Sequence, residues 1–84
     1  MSFELSAPVQ QEMQRRGIPL AVVDAVLAAP AQKVPEHGVI VCYQSQVEIN
    51  RRPYLVRVMV NETVTPAKVV TVYRTSKITK YWKP

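Results

Sequence analysis

Apolar positions recur with a helical period near the start of the chain and with a strand period over most of the remainder. Val9 and Met13 stand four apart, and Gln10, Gln11, Gln14, Arg15 and Arg16 fill the positions around them. Ser6 precedes this segment as an N-cap, its hydroxyl able to accept a free amide of the first turn. Pro8 is tolerated there because its missing N–H has no helical partner. Gly17 stops the helix, with cations in the last turn where the macrodipole favours them. Pro19 opens a second helix that runs to Ala29, before Pro30. Its apolar stripe is Leu20, Val23, Val26 and Leu27. The valines also suit a strand, and the alanines and bracketing prolines decide for helix.

After Pro30 the period shortens to two. Gln32 to Val34 reads as a short edge strand, and Pro35-Glu36-His37-Gly38 as a turn. Val39 to Tyr43 is β-rich, with Ile49 as a later alternative end. Asn50-Arg51-Arg52-Pro53 turns the chain back. From Tyr54 to Val60 the alternation is clean, with Tyr54, Val56, Val58 and Val60 on one face and Leu55, Arg57 and Met59 on the other. Asn61 to Pro66 forms a loop, and Lys68 to Arg74 is the last strong strand. Thr75-Ser76 either breaks that strand or caps a terminal turn through Trp82. The expected fold class is α+β: two N-terminal helices packed on one face of a three- to four-stranded antiparallel sheet. The other sheet face is then open to solvent or a ligand.

Eighty-four residues suit a single domain, 1–84, with one thin core. Hydrophobic residues at 48% against 20% charged exclude a disordered polar chain. The lone Cys42 rules out an intramolecular disulfide and a cysteine-cluster metal site. Absence of staples in so small a domain favours a reducing compartment, and the first residues show no basic-apolar leader. The longest apolar stretch, Leu20 to Pro30, contains Asp24 and is too short to span a bilayer. The expectation is a cytoplasmic protein without a membrane segment and without a cofactor.

Charge sharpens this picture. Net charge is +5, with a pI near 9.7. Such a surplus favours polyanion partners through phosphate neutralisation, and it also serves solubility. All acidic side chains lie at or before Glu62, whereas Lys68, Arg74, Lys77, Lys80 and Lys83 follow it. The stretch from Val72 to Lys83 interleaves these cations with Tyr73, Tyr81, Trp82 and hydroxyl side chains. Cations hold phosphates, aromatic faces stack bases, and hydroxyls contact phosphate or sugar, so the mixture suits single-stranded RNA. Equally, Ile78 and Trp82 at i, i+4 can dock a terminal turn on the core and leave the lysines solvated.

Other residues say less. His37 has no His or Cys at ligand spacing, so no metal site is expected. Cys42, alternating within a strand, reads as an inert buried thiol, with a Cys42–His37 nucleophile–base pair as the alternative. Gly17 and Gly38 are the only glycines, which excludes a glycine-rich phosphate loop. Arg57, between Leu55 and Met59, is either a snorkelling surface residue or a phosphate contact on the open sheet face.

Arg16-Gly17-Ile18, Val26 to Pro30, Val70 to Lys77 and Lys80-Tyr81-Trp82 together resemble a family pattern. It is that of the small bacterial proteins grouped as domain of unknown function 4258, matched from about Leu5 to Trp82. That family is placed with the RelE-like, barnase and colicin ribonuclease-toxin fold, whose toxins cut RNA without a metal. The resemblance implies a RelE-like sheet, RNA as partner, and a cognate antitoxin-like protein. By position it implies Arg74, Tyr81 and Arg57 as catalytic residues, with Arg52, Lys77 and Lys80 binding RNA. The implied reaction is attack of a ribose 2′-hydroxyl on its own phosphate, which needs a base, an acid and cations. The first helix departs from the family's pattern: Pro8 stands near its usual histidine, and Glu12 precedes Met13. A non-catalytic interaction module, using a sheet face or edge strand, is the competing expectation.

Overall fold

Helix α1 (Ala7–Arg15) begins where the sequence places it, at Ser6, whose Oγ accepts from the Val9 amide at 3.4 Å. It ends in a Schellman turn: Ile18 N donates to Met13 O at 2.9 Å, and Gly17 takes the required positive φ of 67°. Because the Ser6 bond is long, Ser6→Ala is expected to cost only about 0.5–1 kcal/mol in urea unfolding. A loss above about 2 kcal/mol would mean that Ser6 does more than cap.

The structure, a computed structural model, describes residues 2–84. After α1 come α2 (Leu20–Ala28), β2 (Gln32–Pro35), β3 (Ile40–Ile49), β4 (Arg52–Asn61), β5 (Ala67–Thr75) and the one-turn α3 (Ile78–Tyr81), with β1 (Phe3–Glu4) preceding α1. The strands form one sheet in the order β1-β5-β4-β3-β2. The class is α+β as expected, but the sheet is five-stranded and mixed. The added strand is β1, which runs parallel to β5 through Phe3–Ala67 and Glu4–Lys68. Two residues are too few to carry a strand period, so this pairing exists only through the long-range ladder.

Both longer helices cover one sheet face. Val9 and Met13 of α1, Ile18, and Val23, Val26 and Leu27 of α2 meet Tyr43, Ile49, Val56, Val58, Val60, Val69 and Val72 in one core. Leu20 is not in it: this first-turn residue of α2 is 50% exposed, so the expected stripe is one residue shorter. β3 continues to Ile49 and joins β4 by a two-residue turn in which Asn50 and Arg51 have φ of 51° and 65°. That primed geometry matches the strand twist. It confines the turn to Asn50-Arg51, with Arg52 and Pro53 already in β4.

Strand β5 carries an extra residue. Val60 pairs with Val69 but Met59 pairs with Thr71, which leaves Val70 as a bulge, 50% exposed. Val69 and Val72 therefore both face the helices. Among the described residues no helix is long and apolar enough to cross a membrane.

The second sheet face is not open at its centre. Cys42, Gln44 and Leu55 are completely buried there and Arg57 is 4% exposed. The chain after β5 folds back across this face: Gln44 Nε2 donates to Tyr81 O at 3.2 Å, and Gln32 exchanges bonds with both backbone groups of Lys83.

Candidate functional site

Two clusters of cationic and aromatic side chains stand on opposite faces of the sheet. On the face away from α1 and α2, Arg57 lies at the centre of β4, opposite Gln44 on β3 and Tyr73 on β5. Its Nε donates to Gln44 Oε1 at 2.9 Å, its Nη1 to the Tyr73 hydroxyl at 2.5 Å, and its Nη2 to the Glu36 carboxylate. The Tyr81 ring lies 4.4 Å from the guanidinium, and meets Tyr73 edge-on at 6.4 Å. Lys80 Nζ stands 5.2 Å from the Tyr81 ring.

Electrostatics here are those of a closed network. Burial works against the charge on Arg57, but its bonds to Tyr73 and Glu36 outweigh that and its pKa is raised. Burial raises the Tyr73 hydroxyl, with Arg57 pulling partly back, so the phenol is protonated at neutral pH. Every fully buried side-chain nitrogen and oxygen among the described residues has a hydrogen-bond partner. Arg57 is thus neither the snorkelling residue nor the open phosphate contact expected from its strand. It ties β3, β4, β5 and the turn containing Glu36 together. Chemically the group still brings a carboxylate, a guanidinium and two phenols into contact, which are a base, a charge stabiliser and acids.

Cys42 shares this face. Its thiol donates to Gln44 Oε1 at 3.8 Å, and burial raises its pKa while Arg57 opposes. No bond joins it to His37, so the buried-thiol reading stands and the nucleophile–base pair does not. Thiol reagents are expected to label Cys42 only at the rate of global unfolding; fast labelling of the native protein would contradict this burial.

The second cluster lies on the helix side, at the far end of β5. Arg74 pairs with Val56 and so shares the face of the core. Its guanidinium stacks over Tyr54 at 4.5 Å. It also abuts Gly17, where an added Cβ would come within 3.3 Å of Nη2. Half-buried as it is, Arg74 makes no hydrogen bond or ion pair among the described residues. Its neighbour Arg16 is spent: Nη1 donates to Val72 O at 2.8 Å, and Nε faces Glu12 at 3.2 Å. Arg52, paired with Ile49, is exposed on the same face as Tyr54.

The structure therefore joins Arg57 with Tyr81 and places Lys80 beside them, while Arg74 and Arg52 lie on the opposite face. Lys77 is exposed in the link between β5 and α3. Sequence reading missed Glu36, Gln44 and Tyr73 around Arg57, and Tyr54 and Gly17 around Arg74. An arginine centred on an otherwise apolar strand face was the available signal for a buried network. A third group, Lys33, Glu62 and Tyr43, links β2, β3 and the end of β4; Lys33 and then Tyr43 hold the Glu62 carboxyl below its usual range. Among the described residues no three His, Cys, Asp or Glu side chains are placed to hold a metal ion. Comparison with protein-family models, curated proteins and solved structures returns no significant match.

Proposed function

We propose that this protein is an RNA-binding domain of RelE-like type that receives the phosphates of single-stranded RNA at Arg74. One observation carries the reading: Arg74 is held in place by Tyr54 and Gly17, yet gives its N–H groups to no acceptor among the described residues. A planar guanidinium fixed in that way is a preorganised bidentate donor for phosphate. Net charge of +5 and the exposed Arg51 and Arg52 support it by drawing in a polyanion. The resemblance of Val70 to Lys77 to domain of unknown function 4258 points to the same arginine. The direct test is fluorescence anisotropy with a labelled single-stranded RNA over increasing salt. Affinity should fall with a log–log slope of roughly −0.7 per phosphate neutralised. No binding at low salt, or binding indifferent to salt, sinks the reading.

A second reading, metal-independent cleavage, is favoured by the contact of Glu36, Arg57, Tyr73 and Tyr81. Glu36 would take the proton of the attacking 2′-hydroxyl and a phenol would protonate the leaving oxygen, while the buried Arg57, its three nitrogens all engaged, would hold Glu36 and Tyr73 in place. Incubation with RNA in chelator should then yield 2′,3′-cyclic phosphate ends, lost in Glu36→Gln. RNA left intact by excess protein excludes cleavage and leaves binding as the whole function.

A further inference from the structure

Beside Arg74 lies a cleft that none of the groups described so far uses. It has a volume of about 430 Å3 and opens between α1, the turn from Gly17 to Pro19, and the β3–β4 hairpin. Its size falls within the range of small-molecule sites. Its apolar surface comes mainly from the exposed Pro19 and Leu20, with the buried Met13, Ile18 and Ile49 behind them. Gln10, Gln14 and Asn50 add three carboxamides to its walls. Gln14 and Asn50 make no side-chain hydrogen bond among the described residues, and Gln10 uses only its Nε2, toward Leu5 O at 3.0 Å.

Position decides what such a cleft can take. Gly17 is a wall of the cleft and at the same time the residue against which the Arg74 guanidinium rests. The unpartnered cation and the cleft therefore adjoin across a single residue. An apolar lining suits a flat ring, carboxamides supply both donors and acceptors for its edge, and a guanidinium next door suits a phosphate. One ligand chemistry joins all three.

We infer that this cleft holds one unpaired RNA base, with Gln14 and Asn50 bonding its edge, while Arg74 holds the adjoining phosphate. Single-stranded RNA is generally read in this manner, through bases splayed out of the stack. Carboxamides match adenine best, since they can donate to one ring-edge atom and accept from the amino group beside it. The inference rests on the RNA-binding reading and gives it a base-dependent component.

The test compares two labelled strands of equal length, an oligoadenylate RNA and a ribose-phosphate strand without bases. The protein should bind the oligoadenylate roughly tenfold more tightly, near the low end of what one bidentate amide–base contact contributes. In the Gln14→Ala/Asn50→Gly double variant, oligoadenylate affinity should fall to that of the abasic strand, whose own affinity stays unchanged. Gln14 is exposed on α1, and glycine accepts the positive φ of Asn50, so the fold is expected to survive both changes. Independently of any variant, the side-chain amide resonances of Gln14 and Asn50 should shift with oligoadenylate and not with the abasic strand. Equal affinity for the two strands, or amide resonances that do not move, overturns the base site and leaves the phosphate reading standing. Failure of the RNA reading itself looks different: neither strand binds, or Arg74→Ala leaves both affinities unchanged.

Discussion

Arg57→Ala should remove about 2–4 kcal/mol of folding stability, chiefly the cost of leaving buried hydrogen-bond partners unpaired. The wild-type side chain donates in three directions, to Gln44, Tyr73 and Glu36. Its loss leaves the Gln44 carbonyl, which is fully buried, with only the weak thiol donor of Cys42. It also leaves the Glu36 carboxylate without its cation. A domain of 84 residues has a total stability of only about 4–12 kcal/mol at 0.05–0.15 kcal/mol per residue. The variant should therefore be partly unfolded at physiological temperature, with its urea midpoint sharply lowered. Glu36→Ala alone should cost less, because Glu36 sits nearer water than Arg57. The double variant should cost less than the sum of the two, by about 0.5–3 kcal/mol. A loss below about 1 kcal/mol in Arg57→Ala would show that the network contributes little net stability.

Arg74→Ala should do the reverse: weaken RNA binding by about 10- to 100-fold while leaving stability within about 1 kcal/mol. The first figure is what one charge-assisted hydrogen-bonded contact contributes. The second follows because Arg74 makes no hydrogen bond or ion pair among the described residues and loses only its stacking on Tyr54 and its contact with Gly17. Arg74→Lys keeps the charge but not the planar fork, so it should recover less than half of the lost binding free energy. Tyr54→Leu should retain the charge and lose the platform, giving an intermediate affinity. If Arg74→Lys binds as well as the wild type, the guanidinium geometry is irrelevant and only net charge matters.

The helices were legible because their signals are local. Ser6, Gly17, Pro19 and Pro30 mark ends through backbone geometry that needs no distant partner. The alternation of β4 was equally plain and correctly divided Val56 and Val58 from Leu55 and Arg57. What those two faces touch was not legible. Arg57 looked like a surface or ligand-facing residue because its partners come from β3, β5 and the turn after β2, far apart in the chain. Glu36, one acidic residue among scattered others, carries no sequence mark of its pairing. The same holds for Arg74: Tyr54 is its neighbour only through the β4–β5 register, and Gly17 only through the packing of α1. Grouping Arg74 with Arg57 and Tyr81 treated nearby cations as one surface, and a sheet has two.

The bulge at Val70 bears on how this strand tolerates change in length. Residues on either side of it are written in opposite phase, so one insertion has already been absorbed at that point. Removing Val70 should restore an unbroken ladder in which Val69 still faces the helices and Thr71 still faces away. Removing Val72 instead would invert one side of the strand and exchange Tyr73 for Arg74 in their respective environments. Deletions two residues apart should thus differ in kind: the first yields a folded protein by its amide spectrum, and the second does not.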